Sequence, residues 1–398
     1  MTTITIKNVG PIKEANFTLN KINVFMGPQS SGKSTIAKII SYCTWVEKRY
    51  LLDGEYKEDV NKQLLDFHHL SENYFDDNSC FEYESEFVKI NYKSKKLKQE
   101  IKINEAKILD YKKTKNIYIP AERNFVSAIP NLSKYNETND NIMSLIYDWF
   151  TAKKNFSKQK SLPILNFGID YYYQKGADLD MLILNNAKKE IPLNTGSSGL
   201  QSITPLIIIF EYLSNIFYGE KYSLSVKEKD ELNRLLAIMT KPRMGTFGLN
   251  DEESAFIQRR EKYSGTLFII EEPEQNLFPE TQRDLVYYLL ERLQSEREHT
   301  LTITTHSPYI LYALNNCMLG YLVKGKMIQD EDYVNLQTLK SVINPTIVSV
   351  WQITTEGTIK DIQGEDRLIE ENYFDACMKN VMDDYYKMIN YYGDEDED

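Results

Sequence analysis

The sequence has few cysteines, and their spacing does not form a structural framework. Its 398 residues contain four cysteines, and no two of them form a Cys-x-x-Cys pair. This distribution argues against zinc sites and disulfides and is typical of a reducing compartment. A chain of this length can bury a large core without cross-links, and 42% hydrophobic with 26% charged residues is a globular composition.

Long apolar runs are also missing. No apolar stretch has the length of a membrane span, and residues 1–6 alternate as in a strand, unlike a signal peptide. We therefore expect a cytoplasmic protein without membrane contact. No repeat and no Pro- or Ser-rich linker divides the chain, whose length allows one large α/β domain with insertions or two domains.

Positive charge is in deficit. The net charge of −11 excludes a global positive field that would gather nucleic acid. Local groups of lysines could still contact nucleic acid, or they could be ordinary solvated faces. These lysines are Lys93, Lys95, Lys96, Lys98, Lys102, Lys112, Lys113, Lys115, Lys153, Lys154, Lys158 and Lys160.

The sequence does contain a complete phosphate-binding loop. It follows the apolar run 22–26 and precedes residues 35–40, so the order is strand, glycine-bounded loop and helix. Backbone N–H groups of such a loop surround a β-phosphate, and the helix dipole points at the same anion. Lys33 is expected to reach the β- and γ-phosphate oxygens, and Ser34 to hold Mg²⁺. The predicted binding residues are Gly27, Pro28, Gln29, Ser30, Ser31, Gly32, Lys33, Ser34 and Thr35.

Two later strands end in chemically useful side chains. Residues 267–270 form an apolar run, as in a buried parallel strand, and they are followed by Glu271 and Glu272. Such a pair fits a site in which one carboxylate organises hydrated Mg²⁺ and the other orients or deprotonates water. The strand 301–305 ends in His306, for which we favour a role near a γ-phosphate.

Two other segments have open interpretations. Residues 121–124 follow a core strand predicted over 116–120; they could contact a ligand, or Glu122 could form a buried ion pair with Arg123 or another partner. The loop 194–201 precedes an apolar helix predicted from Pro205 to Phe217. It could present N–H groups and a hydroxyl to an anion, or it could be only a helix cap.

The remaining segments give a coarse secondary structure. We expect a β-hairpin over 2–26, a helix over 33–49, polar helical residues over 50–80 with His68 and His69 at the surface, an antiparallel meander over 81–109, a helix over 140–157, strands over 168–174 and 179–184, a charged helical arm over 218–263, a helix over 280–297, strands over 319–324 and 349–354, and a helix over 372–392 before an acidic tail.

The order of the motifs resembles that of ABC-type ATPases, in the branch of the SMC, Rad50, RecF and OLD-like proteins. The residues within these motifs are similar to those of small OLD-like AAA ATPases from bacterial anti-phage operons, and the similarity covers nearly the whole chain. It is carried by residues 118–123, 197–202, 271–279 and 305–311. It implies an α/β P-loop NTPase fold: an ABC-ATPase head over 1–325 with an antiparallel β-subdomain and an inserted helical arm, and a C-terminal part over 326–398.

The resemblance also implies roles for individual residues. Glu271 corresponds to the Walker B acid that supports Mg²⁺, Glu272 to the general base, and His306 to the switch histidine that senses the γ-phosphate. Ser198 and Gly199, with Gln201 close behind, match the signature loop, which in this family completes the ATP site of the other subunit. Catalysis would then require a head-to-tail dimer around two ATP molecules.

The sequence departs from the family pattern in three places. Glu271 replaces the usual Asp, Leu200 replaces a second signature glycine, and Phe278 stands where relatives often carry histidine. No glutamine loop for Mg²⁺ is assigned, and Gln99 and the segment 122–123 are its candidates.

Two functions are compatible with this pattern. Too few residues follow the switch strand for a nuclease domain of the TOPRIM type in addition to the predicted elements, which points to a separate effector such as a nuclease. The first function is therefore an ATP-driven dimeric switch for such an effector in anti-phage defence. The alternative is a RecF-like or Rad50-like DNA-binding repair ATPase.

Overall fold

The computed structural model describes residues 1–53, 62–94, 98–129, 132, 140–219, 262–327 and 336–392. The predicted helical arm falls almost entirely outside these residues, as do the acidic tail, Lys95 and Lys96. The division of the chain near residue 325 stays a prediction.

The described residues form fifteen strands and eight helices. The strands are β1 (Thr2–Val9), β2 (Ile12–Leu19), β3 (Ile22–Met26), β4 (Phe75–Glu84), β5 (Val88–Lys93), β6 (Lys98–Ile103), β7 (Thr114–Ile119), β8 (Leu162–Pro163), β9 (Ile169–Gln174), β10 (Leu179–Leu184), β11 (Lys189–Pro192), β12 (Gly265–Glu271), β13 (Thr300–Thr305), β14 (Val348–Ile353) and β15 (Ile359–Asp361). The helices are α1 (Lys33–Asp53), α2 (Phe125–Ala128), α3 (Asn141–Ala152), α4 (Ser198–Glu211), α5 (Phe217–Gly219), α6 (Pro279–Leu293), α7 (Pro308–Met327) and α8 (Tyr373–Ile389).

The central layer is a six-stranded sheet in the order β15-β14-β3-β13-β12-β7. Its pairs are parallel except for β14 with β15. All five residues of β3 are buried, as expected for a strand covered on both faces. The carboxyl ends of β3, β13, β12 and β7 therefore share one edge.

A second, antiparallel sheet packs beside the core in the order β2-β1-β4-β5-β6. It confirms the predicted hairpin and meander and joins them into one β-subdomain. The helical prediction for residues 50–80 is wrong from Phe75 onward, where β4 begins and buries the alternating side chains Ser79, Phe81 and Tyr83. Alternation at period two is the strand signal that the polar composition had masked.

His68 is not at the surface as predicted. It is 2% exposed, and its ring lies edge-on to the Tyr118 ring with centroids 4.9 Å apart. Burial lowers the pKa of His68 to about 3, so the ring is neutral near pH 7. His69 is exposed, and its Nε2 lies 3.2 Å from Asp140.

The helices show two further corrections. α4 begins at Ser198, seven residues before the predicted start at Pro205, because the side chain of Ser197 caps it by accepting from the Leu200 N–H. Residues 319–324, predicted as a strand, lie inside α7, whose side chains are buried at helical spacing. A short apolar run does not by itself separate strand from helix.

The segment that contains the predicted apolar helix corrects the expectation that no apolar stretch has the length of a membrane span. Ser198–Gly219 is long and apolar enough to cross a membrane, but 67% of its most apolar window is buried inside the protein. The core helix of a globular protein meets the same criterion, so this segment is weak evidence for a membrane span. The other predicted helices and strands in the described residues are present, with ends shifted by a few residues.

Candidate functional site

Three neighbouring strands of the core sheet bring the predicted motifs together. β3 leads into the phosphate loop, β12 ends at Glu271, and β13 is followed by His306. Since these strands are parallel and adjacent, their side chains meet at one edge of the sheet, where α/β proteins place ligands. The structure thus assembles these residues, and their individual roles stay predictions.

The phosphate loop needs its first glycine for two reasons. Gly27 has φ +148°, and a Cβ there would collide with the carbonyl oxygen of Ile353. The loop is tight, with the Ser31 N–H donating to the Pro28 carbonyl at 3.4 Å. The first helical bond of α1 runs from the Ile36 N–H to the Gly32 carbonyl at 3.0 Å. Helix N-termini of this kind bind phosphate through free N–H groups.

Lys33 is folded onto the loop. Its Nζ donates to the carbonyls of Gly27 at 2.9 Å and Pro28 at 2.5 Å. Burial lowers the pKa of Lys33 to about 8, although the charges of Glu272 and Glu274 act to raise it. An anion that binds beside Lys33 would stabilise the charged form of this lysine, which burial disfavours.

Glu271 and Ser34, the two predicted Mg²⁺ ligands, lie beside each other. Glu271 is 5% exposed, burial raises its pKa, and the neighbouring hydroxyls of Tyr118 and Ser34 and the charge of Lys38 lower it. Its Oε1 is buried and has no hydrogen-bond partner in the described part of the chain. Buried polar atoms are normally satisfied, and carboxylate and hydroxyl oxygens are ligands that Mg²⁺ prefers. These residues therefore fit a magnesium ion.

Glu272 and His306 form a polar pair beside it. Glu272 Oε1 lies 3.3 Å from His306 Nε2, and both side chains are 32% exposed. The hydrogen bond to His306 and the charges of His306, Lys33 and Arg123 lower the pKa of Glu272 despite partial burial. The backbone of Glu272 has φ +42°, a conformation that costs energy for a non-glycine residue and is concentrated at functional sites.

Glu274 is a site residue that the sequence analysis missed. Its Oε1 accepts from the His306 N–H at 2.5 Å, and burial raises its pKa. It thereby fixes the backbone that carries the histidine. The next residue, Ser307, is fixed by a hydrogen bond that its hydroxyl donates to Gln282 Oε1. The only sequence signal was a third acidic residue in the motif after β12.

The structure contradicts the buried ion pair predicted as one interpretation of the segment 121–124, because Glu122 is exposed. The other interpretation, a contact with a ligand, stays a prediction. Arg123 is fully buried, and its guanidinium donates to backbone carbonyls rather than pairing with a carboxylate: to Glu271 at 2.9 Å, Glu272 at 2.9 Å, Pro273 at 3.1 Å and Ser202 at 3.2 Å. Burial lowers its pKa to about 10. One side chain thus joins the end of β12 to α4.

We expect the substitution Arg123→Lys to reduce the free energy of unfolding by about 2–4 kcal/mol. A lysine keeps the charge, but its single nitrogen cannot reach acceptors that lie around a planar fork, and hydrogen bonds to charged groups are worth roughly 1.5–3 kcal/mol. Denaturant titration measures the change. Arg297→Lys is the matched control, because exposed Arg297 lies over the Tyr218 ring at 5.0 Å, and a loss as large there would contradict the assignment.

The signature loop packs against the segment after Glu272. A Cβ on Gly199 would lie 2.8 Å from the carbonyl oxygen of Asn276, so glycine permits this close approach. Ser198 is exposed and faces outward at the start of α4. Gln201 Nε2 donates to the carbonyls of Asn194 at 3.0 Å and Gly196 at 2.9 Å. It therefore shapes the loop, and its contact with a nucleotide stays a prediction.

Five of the predicted lysines are engaged with the protein itself. Lys113 is 3% exposed, and Lys153 is 4% exposed with Asp178 and Asp180 as partners. Ion pairs join Lys112 to Glu298, Lys115 to Asp148 and Lys158 to Glu190. Lys93, Lys98 and Lys102 are exposed on or beside the edge strand β6, where lysines also prevent edge-to-edge pairing.

Gln99 lies on this same edge strand β6 rather than on the core sheet. The segment 122–123 directly follows the core strand β7, but Arg123 is committed to carbonyl contacts. The glutamine loop therefore remains unassigned.

Comparison with known proteins places the chain among nucleotide-binding folds. A family model described as an AAA domain matches residues 3–277. Solved structures that match include an SMC head domain from Thermotoga maritima, 12% identical with a TM-score of 0.36, over 78% of this chain and 90% of that one. Another is an Smc head bound to the C-terminal domain of ScpA from Pyrococcus furiosus, 10% identical with a TM-score of 0.39, over 96% and 99%. No curated protein matches.

Proposed function

The chain belongs to the AAA-domain family and has the fold of an ABC-type P-loop ATPase, and from this premise we propose that it hydrolyses ATP as a dimeric switch for a separate effector protein. The observation that supports this most strongly is the single edge of the core sheet that holds the phosphate loop, two carboxylates and a histidine. A cytoplasmic location and a role in anti-phage defence belong to the same proposal.

Lys33 and the loop N–H groups would bind the phosphates. The ammonium of Lys33 now donates to loop carbonyls, and exchange of these acceptors for phosphate oxygens brings a charge-assisted contact. Ser34 and Glu271 would hold Mg²⁺, which when bound neutralises phosphate charge. Glu271 is one methylene longer than the usual Asp, and its carboxylate lies beside the Ser34 hydroxyl.

Glu272 is the general base of the proposed reaction. Its lowered pKa keeps it ionised near pH 7, which is the form that accepts a proton from water. His306 Nε2 lies 3.3 Å from Glu272 Oε1. The backbone N–H of His306 donates to Glu274, which holds the histidine in place. If His306 contacts a γ-phosphate, a change at that phosphate would therefore alter the surroundings of Glu272 and of the end of β13 together.

The position of the predicted signature loop supports the proposed dimer. Ser198 is exposed at the N-terminus of α4, where free N–H groups favour an anion. Arg123 connects this helix to the carbonyls of Glu271 and Glu272. ATP held between a phosphate loop and the signature loop of a second copy would therefore couple dimer closure to the catalytic segment.

α8 offers a surface for the effector. None of its side chains is buried, and its apolar residues recur at helical spacing along one stripe. The exposed members are Met378, Val381, Met382, Tyr385, Met388 and Ile389. Contiguous apolar surface of this kind marks protein interaction sites, and a stripe at this spacing fits a partner helix. We assign it to the effector because α8 lies outside the nucleotide edge.

We expect ATP turnover per chain to rise with protein concentration, because one copy holds only part of each site. Ser198→Arg should lower turnover about 100-fold or more while ATP binding persists, since a bulky cation would occupy the dimer contact. The control is Ser295→Arg, at an exposed position after α6. Concentration-independent turnover, or full activity of Ser198→Arg, would contradict the shared site.

A further inference from the structure

The helix α8 stands free of the rest of the described protein beyond its first turn. Its root is fixed, because Asn372 and Asp375 form a capping box and the Tyr373 N–H donates to Gln352 Oε1 at 2.9 Å. Residues 376–389 are all exposed. A short helix is marginally stable in water by itself and is stabilised mainly by the packing of an apolar face. We therefore expect another surface to cover the apolar stripe of α8.

The helix α7 also exposes large apolar side chains. Tyr309, Tyr312, Leu319 and Leu322 are between 44% and 46% exposed. They lie on the side of α7 that faces away from the core, since the buried residues of this helix occupy the other side. Large apolar side chains exposed at helical spacing are typical of a docking surface. α7 therefore offers a surface on which another helix can pack.

The two helices have seams that begin at one contact and share one spacing. The Tyr312 hydroxyl donates to Asp375 Oδ1 at 2.8 Å, and about 20 Å of each helix lies beyond this contact, up to Met327 and Ile389. The members of each seam follow one another at intervals of four, three and four residues: Tyr312, Asn316, Leu319 and Val323 in α7, and Phe374, Met378, Val381 and Tyr385 in α8. This is the spacing of helices that pack side by side. If α8 turned about its root to run along α7, the members of the two seams would meet in pairs.

The charges of the two helices are complementary. α7 contains Lys324 and Lys326 in its last turn and no acidic residue. Residues 370–398, which include α8, contain ten acidic residues and two lysines. This difference favours α7 as the surface that covers α8, whereas pairing of α8 with α8 of a second copy would bring like charges together. Because Asp375 is already bound to Tyr312, the α7 of the same chain is present at a much higher local concentration than that of a second copy.

We propose that the α7 seam is a docking surface for α8 of the same chain, and that docking covers the face of α8 that the effector would bind. The described conformation is then the open one, in which α8 is attached only at its root. The docked conformation is a second state of the same chain, and it brings Leu319 against Val381 and Val323 against Tyr385. An effector would have to displace α7 from α8, so docking regulates the effector surface. This regulation rests on the proposed function.

Disulfide formation between introduced cysteines measures docking. The full chain carries Leu319→Cys and Val381→Cys together with Cys377→Ser, which removes the exposed native cysteine of α8. On oxidation of the dilute protein, we expect the disulfide within one chain to form about tenfold faster or more than in a matched control with Asn380→Cys in place of Val381→Cys, because docking brings only the first pair together. Asn380 is exposed and lies on another side of α8. Mass spectrometry locates the disulfides, and circular dichroism establishes that each variant keeps its helices.

A second measurement tests whether docking covers the apolar face. Nile red, a neutral dye that binds exposed apolar surface, should fluoresce less with the disulfide-linked protein than with the same protein after reduction. Equal rates for the two cysteine pairs, disulfides mainly between chains, or dye fluorescence that reduction leaves unchanged would overturn the proposal. The assay requires neither ATP nor an effector, so an absence of ATP turnover in the wild type would count against the proposed function and leave this result unchanged.

Discussion

Replacement of Glu272 by Gln is expected to lower ATP hydrolysis about 10²–10⁴-fold and to leave ATP binding intact. The amide keeps the size of the side chain but cannot accept the proton from water, and a general base contributes this much to the rate. The substitution leaves the phosphate loop, Ser34 and Glu271 unchanged. ATP should therefore remain bound, and the closed dimer should accumulate because its exit by hydrolysis is blocked.

Single-turnover kinetics measures the rate, and light scattering with ATP measures the mass. Glu280→Gln is the matched control, since Glu280 is 80% exposed on the first turn of α6, and it should behave as wild type. If the Glu272→Gln protein hydrolyses ATP at a rate within tenfold of wild type, Glu272 is not the general base. If the Glu272→Gln protein stays monomeric with bound ATP, the dimer is not part of the mechanism.

Replacement of Lys33 by Ala is expected to weaken ATP binding about 100-fold. Hydrogen bonds to charged groups contribute roughly 1.5–3 kcal/mol, and each 1.4 kcal/mol is a factor of ten in affinity. The substitution should not reduce the stability of the folded protein, because burial lowers the pKa of Lys33 and the charged lysine is therefore unfavourable in the folded state. We expect the melting temperature of Lys33→Ala to equal or exceed that of the wild type.

Calorimetric titration with ATP measures the affinity, and a thermal melt without ATP measures stability. Lys154→Ala is the control, because Lys154 is exposed and far along the chain from the loop. Wild-type affinity in Lys33→Ala would show that the loop does not bind the phosphates. A large fall in melting temperature would show that Lys33 is structural.

The sequence was sufficient for features that depend on local order along the chain. A glycine loop between a buried strand and a helix, and acidic residues or a histidine directly after apolar runs, identify the nucleotide edge because parallel strands end together. The β-hairpin and meander were visible from period-two alternation. That they join into one sheet through β1 and β4 was not, since pairing of distant strands leaves no local trace.

The remaining features depend on contacts between distant segments. Arg123 binds carbonyls of residues 202 and 271–273, and backbone acceptors have no sequence signature. Glu274 acts on the backbone of His306 across the sheet. His68 was expected at the surface because two adjacent histidines do not point to one side of a helix and no other ligand pattern accompanies them, yet it packs on Tyr118. The strand predicted over 319–324 belongs to α7, since apolar runs of that length suit either structure.

The central claim, that each ATP site is shared by two copies, is tested most directly by mixing two inactive variants. Lys33→Ala lacks a working phosphate loop, and Ser198→Arg lacks a working signature loop. In a mixed dimer, the intact loop of one copy faces the intact signature of the other, so one of the two sites is whole. With equal amounts and random pairing, half of the dimers are mixed.

We expect each variant alone to be inactive and the equimolar mixture to recover about a quarter of wild-type ATP turnover. The Lys33→Ala and Glu272→Gln pair is the control, because both substitutions affect the same half of the site; a mixed dimer of that pair has no intact half to combine with an intact signature. Turnover in the Lys33→Ala and Ser198→Arg mixture that does not exceed the sum of the separate variants would contradict the account.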